Sequence, residues 1–473
     1  MDRHGRTTRR SLLGRAAMAT GALSAMAAAG LPAVAQAEVS AQAKVTGKLQ
    51  VVLNLDFNKN YNTFLKQAIS DYATAQKWDL DLSDLAGFLG GSDIYQKLQA
   101  QKAAGTPVDL IIHTLSGRLM KVYQLTRNVK DVVERQIARY GQVYSAARAN
   151  LLLDGQWVAL PFHDRTGGYW LRRDKFAAVG KSVANGDFDT WQGVLDACRA
   201  VSAPDQDFYG WGMTVNRSGD GESLVWNIIW QWGGALADPT GQYVTLFSPE
   251  TIDAMAWLSD IYMNPANQGL TPPGVNSWTD PSNNEAWLAG KIAFTSNAGT
   301  LYAQSVVDNT TLPDGTVLKD VTDFIQVPLG PYGVRLQGSG GTHFFFMDGS
   351  KNYDASVQLA EALINPEIQR NLWQIGIGYT VPAYDKLWDD PIVQSNPVNV
   401  AFRPVSQSEP PFQGIAYRGP LTVDGDAADA VSLQTVATDM IGEILAGKDI
   451  IQAVRDAHFR CVDIFKQFGL KGA

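Results

Sequence analysis

Residues 151–176 read LLLDGQWVALPFHDRTGGYWLRRDKF, and the rest of the chain is best understood outward from them. Asp154-Gly155 marks a hairpin turn, because Asp and Gly tolerate the positive φ that a two-residue turn needs. Val158–Pro161 reads as a short apolar strand and Gly167–Leu171 as another. Polar residues, His163 to Thr166, lie between them.

Upstream, strand and helix alternate. Lys48–Asn54 reads as a buried strand. Asn62–Lys77 carries Phe64, Leu65, Ala68, Ile69, Tyr72 and Ala73 at helical spacing. Ser92–Ala104 is a second amphipathic helix, closed by Gly105-Thr106-Pro107, and Val108–Ile112 is again a strand. This alternation predicts an α/β layer with a largely parallel sheet.

Downstream the chain is more helical. Thr190–Val201 places Trp191, Val194, Leu195 and Cys198 on one side, with an N-cap from Asp189-Thr190. Ser223–Trp232 is strongly aromatic. Ser248-Pro249 opens a helix to about Tyr262, with proline at the first helical position. Asn283–Leu288, Asp354–Leu363, Pro366–Gly376, Ala428–Leu445 and Asp449–Phe468 are further helices. Lys291–Thr295, Asp323–Pro328 and His343–Phe346 are strands.

Composition narrows the class. The chain has 473 residues, 45% hydrophobic and 18% charged, with a net charge of -8. That is too apolar for a disordered chain and too long for one core, so two domains are expected. The acidic balance argues against a general nucleic-acid binder. Two cysteines exclude a disulfide scaffold. Residues 1–37 hold five arginines against one aspartate, a net +4, which leaves -12 on the remaining 436 residues. The basic start, the uncharged run Ala16–Ala37 and the closing Ala35-Gln36-Ala37 fit a cleaved secretory leader. Thr8-Arg-Arg-Ser-Leu-Leu13 resembles the twin-arginine export signal. A linker, 38–47, follows. No cysteine marks a lipid anchor, and the later apolar runs are too short to span a membrane.

Catalytic signatures are missing. There is no Gly-x-Ser-x-Gly elbow, phosphate loop or His-Glu-x-x-His. Gly338-Ser-Gly-Gly341 precedes a strand without dinucleotide spacing and reads as a flexible turn. The histidines, at 4, 113, 163, 343 and 458, show no metal-ligand spacing. The sequence therefore predicts a binding protein with no cofactor and no metal, and not an enzyme.

Five phrases, in order, resemble the family 1 extracellular solute-binding proteins of ABC importers, the maltose-binding-protein-like group. They are LQAQKAAGTPVDL at 98–110, DGQWVALPFHDRTGGYWLRRDKF at 154–176, and Asp189-Thr-Trp-x-Gly. Then come Gln231–Gly234 with Ser248-Pro-Glu and Trp287-Leu-Ala-Gly-Lys-Ile-Ala-Phe. Val327-Pro-Leu-Gly-Pro, Leu363-Ile-Asn-Pro-Glu-Ile-Gln and Gly378-Tyr-Thr-Val-Pro close the series. The sequence departs from the family at Arg172-Arg173, where Tyr-Asn is frequent, and at Gly193, where an acid is common.

The resemblance implies a two-lobe periplasmic binding protein fold (type II) of the α/β class, with hinge-linked lobes around central mixed sheets. Lobe 1 would comprise 48–163 and 329–386, and lobe 2 would comprise 164–328 and 387–473. Crossings would fall near Asp164–Thr166, Val327–Gly330 and Ala383–Leu387. Ligands of open α/β sheets sit at the carboxyl ends of strands, and the family places its cleft there too. The expected ligand-binding residues are Asp56, Phe57, Asn58, His113, Ser116, Asp164, Arg165, Asn297, Gly341 and His343. An aromatic plate complements the C–H face of a sugar ring, and Trp230, Trp278 and Trp373 are the expected stacking residues. Cys198 and Cys461 read either as buried free thiols or as a disulfide within the second lobe.

The expected role is a periplasmic, monomeric carbohydrate-binding protein that delivers its solute to ABC permease subunits. A polyamine or other cation in an acidic cleft, and an exported glycoside hydrolase, are the alternatives.

Overall fold

The computed structural model describes residues 43–86, 92–333, 340–407 and 425–473. The expected leader, residues 38–42 of the linker, and Gly338-Ser339 of the glycine turn lie outside the described residues. Twelve strands are named in chain order: β1 (Leu49–Leu55), β2 (Leu80–Ala86), β3 (Leu110–His113), β4 (Leu152–Leu153), β5 (Gln156–Trp157), β6 (Leu160–Arg165), β7 (Gly167–Arg172), β8 (Tyr209–Trp211), β9 (Ile292–Ala298), β10 (Thr322–Ile325), β11 (Gly340–Phe346) and β12 (Thr380–Pro382). The helices used below are α1 (Lys59–Ala75), α2 (Gly117–Val122), α3 (Trp191–Val201), α4 (Gly219–Gln231), α5 (Pro249–Met263), α6 (Asp280–Leu288), α7 (Pro366–Ile375), α8 (Pro397–Ser406), α9 (Gly425–Leu433), α10 (Val436–Leu445) and α11 (Ile450–Gln467).

Two sheets organise the molecule. The first has the order β12-β6-β11-β3-β1-β2 and the second β10-β7-β9-β8. The expected parallel pairing holds for β1 with β2 and β3. The sheet is mixed as a whole, because β11 runs antiparallel to β3 and β6, and β12 antiparallel to β6. β2 went unread in the sequence because Asp81, Ser83 and Asp84 interrupt its apolar pattern; it is an edge strand, where charge is common. The hairpin at Asp154-Gly155 forms as expected, with φ of 51° and 75° joining β4 to β5.

The chain leaves the first sheet and enters the second through a single residue, Thr166. Its N–H donates to the Tyr379 carbonyl at 2.8 Å and its hydroxyl to the Gly378 carbonyl at 2.6 Å. Its own carbonyl accepts from Gly299 N at 3.0 Å. Gly299 is needed there: a Cβ would lie 2.1 Å from the Gly378 carbonyl oxygen.

Helix starts follow their caps. Thr190 caps α3 through Gly193 N, and Ser248 caps α5 with Pro249 next, as the sequence predicts. α1 begins at Lys59, ahead of the expected Asn62, because Asn58 accepts from Asn60 N and Tyr61 N. α4 begins at Gly219 for the same reason, with Ser218 as cap. The expected helix Ala428–Leu445 is two helices, α9 and α10. Thr435 between them has φ of 53°, a left-handed conformation that no α-helix can continue through.

A large core joins α3, α4, α5, α10 and α11 to the second sheet, and Ala427, Ala428 and Val431 of α9 belong to it. Cys198 and Cys461 are buried in that core as free thiols, so no disulfide joins them. Burial raises both thiol pKa values, Cys461 to about 12. No described helix is long and apolar enough to cross a membrane.

Candidate functional site

The ends of β1 and β6 meet at an ion pair. Arg165, the last residue of β6, pairs through Nη1 with the Asp56 carboxylate. Asp56 Oδ2 also accepts from the Tyr379 hydroxyl at 2.7 Å, and Oδ1 accepts from Asn58 N at 2.9 Å. Arg165 Nε donates to Thr342 Oγ1 at 2.9 Å, and the guanidinium lies over the Tyr379 ring, 4.7 Å from its centroid. Its Nη2 is buried and has no hydrogen-bond partner among the described residues. The pair sits beside the Thr166 crossing, and Tyr379 touches both: its hydroxyl donates to Asp56 and its carbonyl accepts from Thr166 N.

Three histidines lie on the neighbouring strands β3, β11 and β6 around this pair. His113 of β3 stands directly opposite His343 of β11. His163 of β6 bonds the Tyr61 hydroxyl through Nε2 at 2.5 Å. All three are buried. Burial, aided by the Arg165 charge, lowers their pKa values: His113 to about 4, His343 to about 3, and His163 well below the usual range. They are neutral donors and acceptors at pH 7. Gly341 is fixed by crowding, since a Cβ would lie 2.0 Å from the Tyr144 hydroxyl.

A second polar set ends β9. Asn297 Nδ2 donates to Asn283 Oδ1 at 2.9 Å, and Asn283 Nδ2 donates to Asp220 Oδ2 at 2.8 Å. Asp220 N in turn donates to Asp280 Oδ1 at 2.9 Å. Desolvation, with Asp280 alongside, pushes the Asp220 carboxyl up to about 8.

The structure thus brings Asp56, His163, Arg165 and Gly341 together, with His113 and His343 alongside, and places Asn297 in the second set. Asp164 is buried and accepts from Ser406 Oγ at 2.6 Å on α8. Ser116 caps α2 and donates to Asp429. Phe57 is half-buried beside them in sequence. Two expectations are corrected. Asn58 spends its side chain on the α1 cap and on the Ile375 carbonyl, so it is a structural residue. Trp373 is 0% exposed and packs with Val381, Trp388, Val393 and Phe402, which makes it core. Trp230 stacks on Trp226 at 6.5 Å against the second core, and Trp278 is half-buried against a smaller cluster. Among the described residues neither bonds Asp56 or Arg165.

Sequence reasoning missed Tyr61, Thr342, Tyr379, Asp220, Asp280 and Asn283. Two signals were available: Tyr379 lies in the Gly378-Tyr-Thr-Val-Pro phrase, and Asp220 stands between Gly219 and Gly221 in the first turn of α4. The arrangement offers buried hydrogen-bonding groups and aromatic faces. No three metal-ligating residues converge among the described residues.

The sequence model of the bacterial extracellular solute-binding proteins matches residues 86–370. No curated protein matches the sequence. Among solved structures, maltose-bound MalE3 of T. maritima superposes with a TM-score of 0.71 at 16% identity, covering 89% of this chain and 100% of its own. A solute-binding protein of Agrobacterium radiobacter K84 in complex with ribitol gives 0.71 at 17%, covering 91% and 100%. The GacH receptor of Streptomyces glaucescens, solved without ligand and with acarbose, gives 0.68 at 15%, covering 88% and 98%. At these identities the likeness shows the fold.

Proposed function

The chain belongs to the bacterial extracellular solute-binding proteins, and from that premise we propose that it captures a sugar or short oligosaccharide for an ABC permease. The observation that carries the reading is the Asp56–Arg165–Tyr379 cluster beside the Thr166 crossing. Asp56 already neutralises the guanidinium, so Arg165 Nη2 suits an uncharged oxygen such as a hydroxyl. Neutral His113 and His343 add donors and acceptors of the same kind, and the tyrosine rings supply apolar faces.

In this reading 48–163 with 329–386 and 164–328 with 387–473 are the two lobes. The solute touches both and stabilises their closed arrangement by its differential affinity. The twin-arginine leader would export the chain to the periplasm, where it works as a monomer and performs no catalysis. The Asp220–Asp280 pair favours a second reading, a solute bearing an amine, because a cation there would relieve two crowded carboxyls.

A thermal-shift screen of the purified protein against neutral sugars, sugar acids, amino sugars and polyamines tests this. A ligand at 100 times its dissociation constant adds about 2.7 kcal/mol of stability. A shift with neutral sugars is expected. Shifts with polyamines alone would replace the sugar reading by the second one.

A further inference from the structure

α2 and α9 meet in one of the contacts between the parts of the chain carried by the two sheets. α2 follows β3 directly, and its Gly117 rests so close to the later stretch 150–158 that a Cβ would lie 2.6 Å from Leu151 Cδ2. α9 instead buries Ala427, Ala428 and Val431 in the core of the second sheet. Ser116 Oγ donates to Asp429, and Arg118 Nη1 pairs with Asp426 at 3.5 Å. Arg118 Nη2 donates to the Ala149 carbonyl at 3.1 Å. The guanidinium is buried, and Gly425 is pressed against it: a Cβ there would lie 2.7 Å from Cζ.

We propose that Ser116 and Arg118 on one side and Gly425, Asp426 and Asp429 on the other form a clasp whose making and breaking accompanies lobe closure. The proposal rests on the two-lobe reading above. Its physical basis is the state of Arg118. Closed, its charge is out of water and Asp426 is the carboxylate paired with it; open, it is hydrated. Removing the partner of a buried charge disfavours the buried state. Ser116 follows β3, where solute is expected, and also bonds Asp429, so capture and clasping share a residue.

The test is amide hydrogen exchange on the protein and its Asp426→Ala/Asp429→Ala variant. Alanine is a strong helix former, so α9 persists. Amides of α2 and α9 should exchange about tenfold faster, while those of α4 and α11 keep their protection. Asp426→Asn, which preserves volume, should loosen the same two helices to a smaller degree, and guards against a double variant that unfolds. Wild-type exchange in α2 and α9 of both variants overturns the clasp. Titration with maltose and ribitol separates the two ideas. If neither binds while the variants loosen α2 and α9 together, the sugar reading falls and the clasp stands. If either binds and the variants behave as wild type, the clasp falls and the reading stands.

Discussion

Arg165 and Asp56 are the residues whose chemistry is least replaceable. Breaking a buried pair by removing one partner costs about 3–5 kcal/mol, because the other charge is left unpaired. Asp56→Ala should lower the denaturation free energy by about that amount, as read from urea titration, and abolish solute shifts; a loss under about 1 kcal/mol would show the pair is hydrated. The histidines make a prediction with a definite sign. Their folded pKa values lie below the usual 6.5, so the unfolded chain takes up protons first as pH falls. Their contribution is fully present above pH 6.5 and is lost as pH falls from there toward 4. Melting temperature should drop across that window, and less steeply in a His113→Gln/His343→Gln variant. Equal slopes would contradict neutral burial. At this scale the positions of Asp56 and Arg165 beside the ends of β1 and β6 were readable, since both are polar residues next to an apolar strand. It could not separate a helix cap such as Asn58 from a ligand donor, nor a core Trp373 from a stacking one. Those differences are made by groups hundreds of positions away, such as the Ile375 carbonyl on Asn58.

Among elements, the break between α9 and α10 is the instructive one. The run Ala428–Leu445 keeps helical periodicity, so periodicity alone predicts one helix. What divides it is tertiary. Glu222 on α4 reaches the start of α10 and accepts from Thr438 N and Thr438 Oγ1, both at 3.0 Å. It also accepts from Trp226 Nε1 at 2.9 Å. A buried acid thus serves as the cap that Thr435 does not provide. Glu222→Ala should cost on the order of 3 kcal/mol by leaving buried donors unpaired, measured as a denaturant midpoint. A change below about 0.5 kcal/mol would mean water replaces the carboxylate. Thr435→Gly should stabilise the protein by about 1 kcal/mol, since glycine relieves the left-handed strain; destabilisation would show that the threonine side chain matters more than its backbone. Strands and caps that local chemistry dictates, such as Thr190 and Ser248, were legible. β2, with its charged edge, was not.

For the whole molecule, the composition pointed to two domains, and the structure gives two sheets that exchange chain at Thr166 and again between β10 and β11. That interleaving was legible only through the family's phrases, because composition and periodicity do not report which strands share a sheet. The same interleaving places the Asp56–Arg165 pair at the junction, where a bound solute would bias one arrangement of the lobes over another. The most direct measurement is small-angle X-ray scattering of the purified protein while a neutral sugar from the thermal screen is titrated in. The account predicts that the radius of gyration falls and saturates with the binding curve, and that Arg165→Met shows neither change. A radius that stays constant at saturating sugar, or full closure in Arg165→Met, would contradict it.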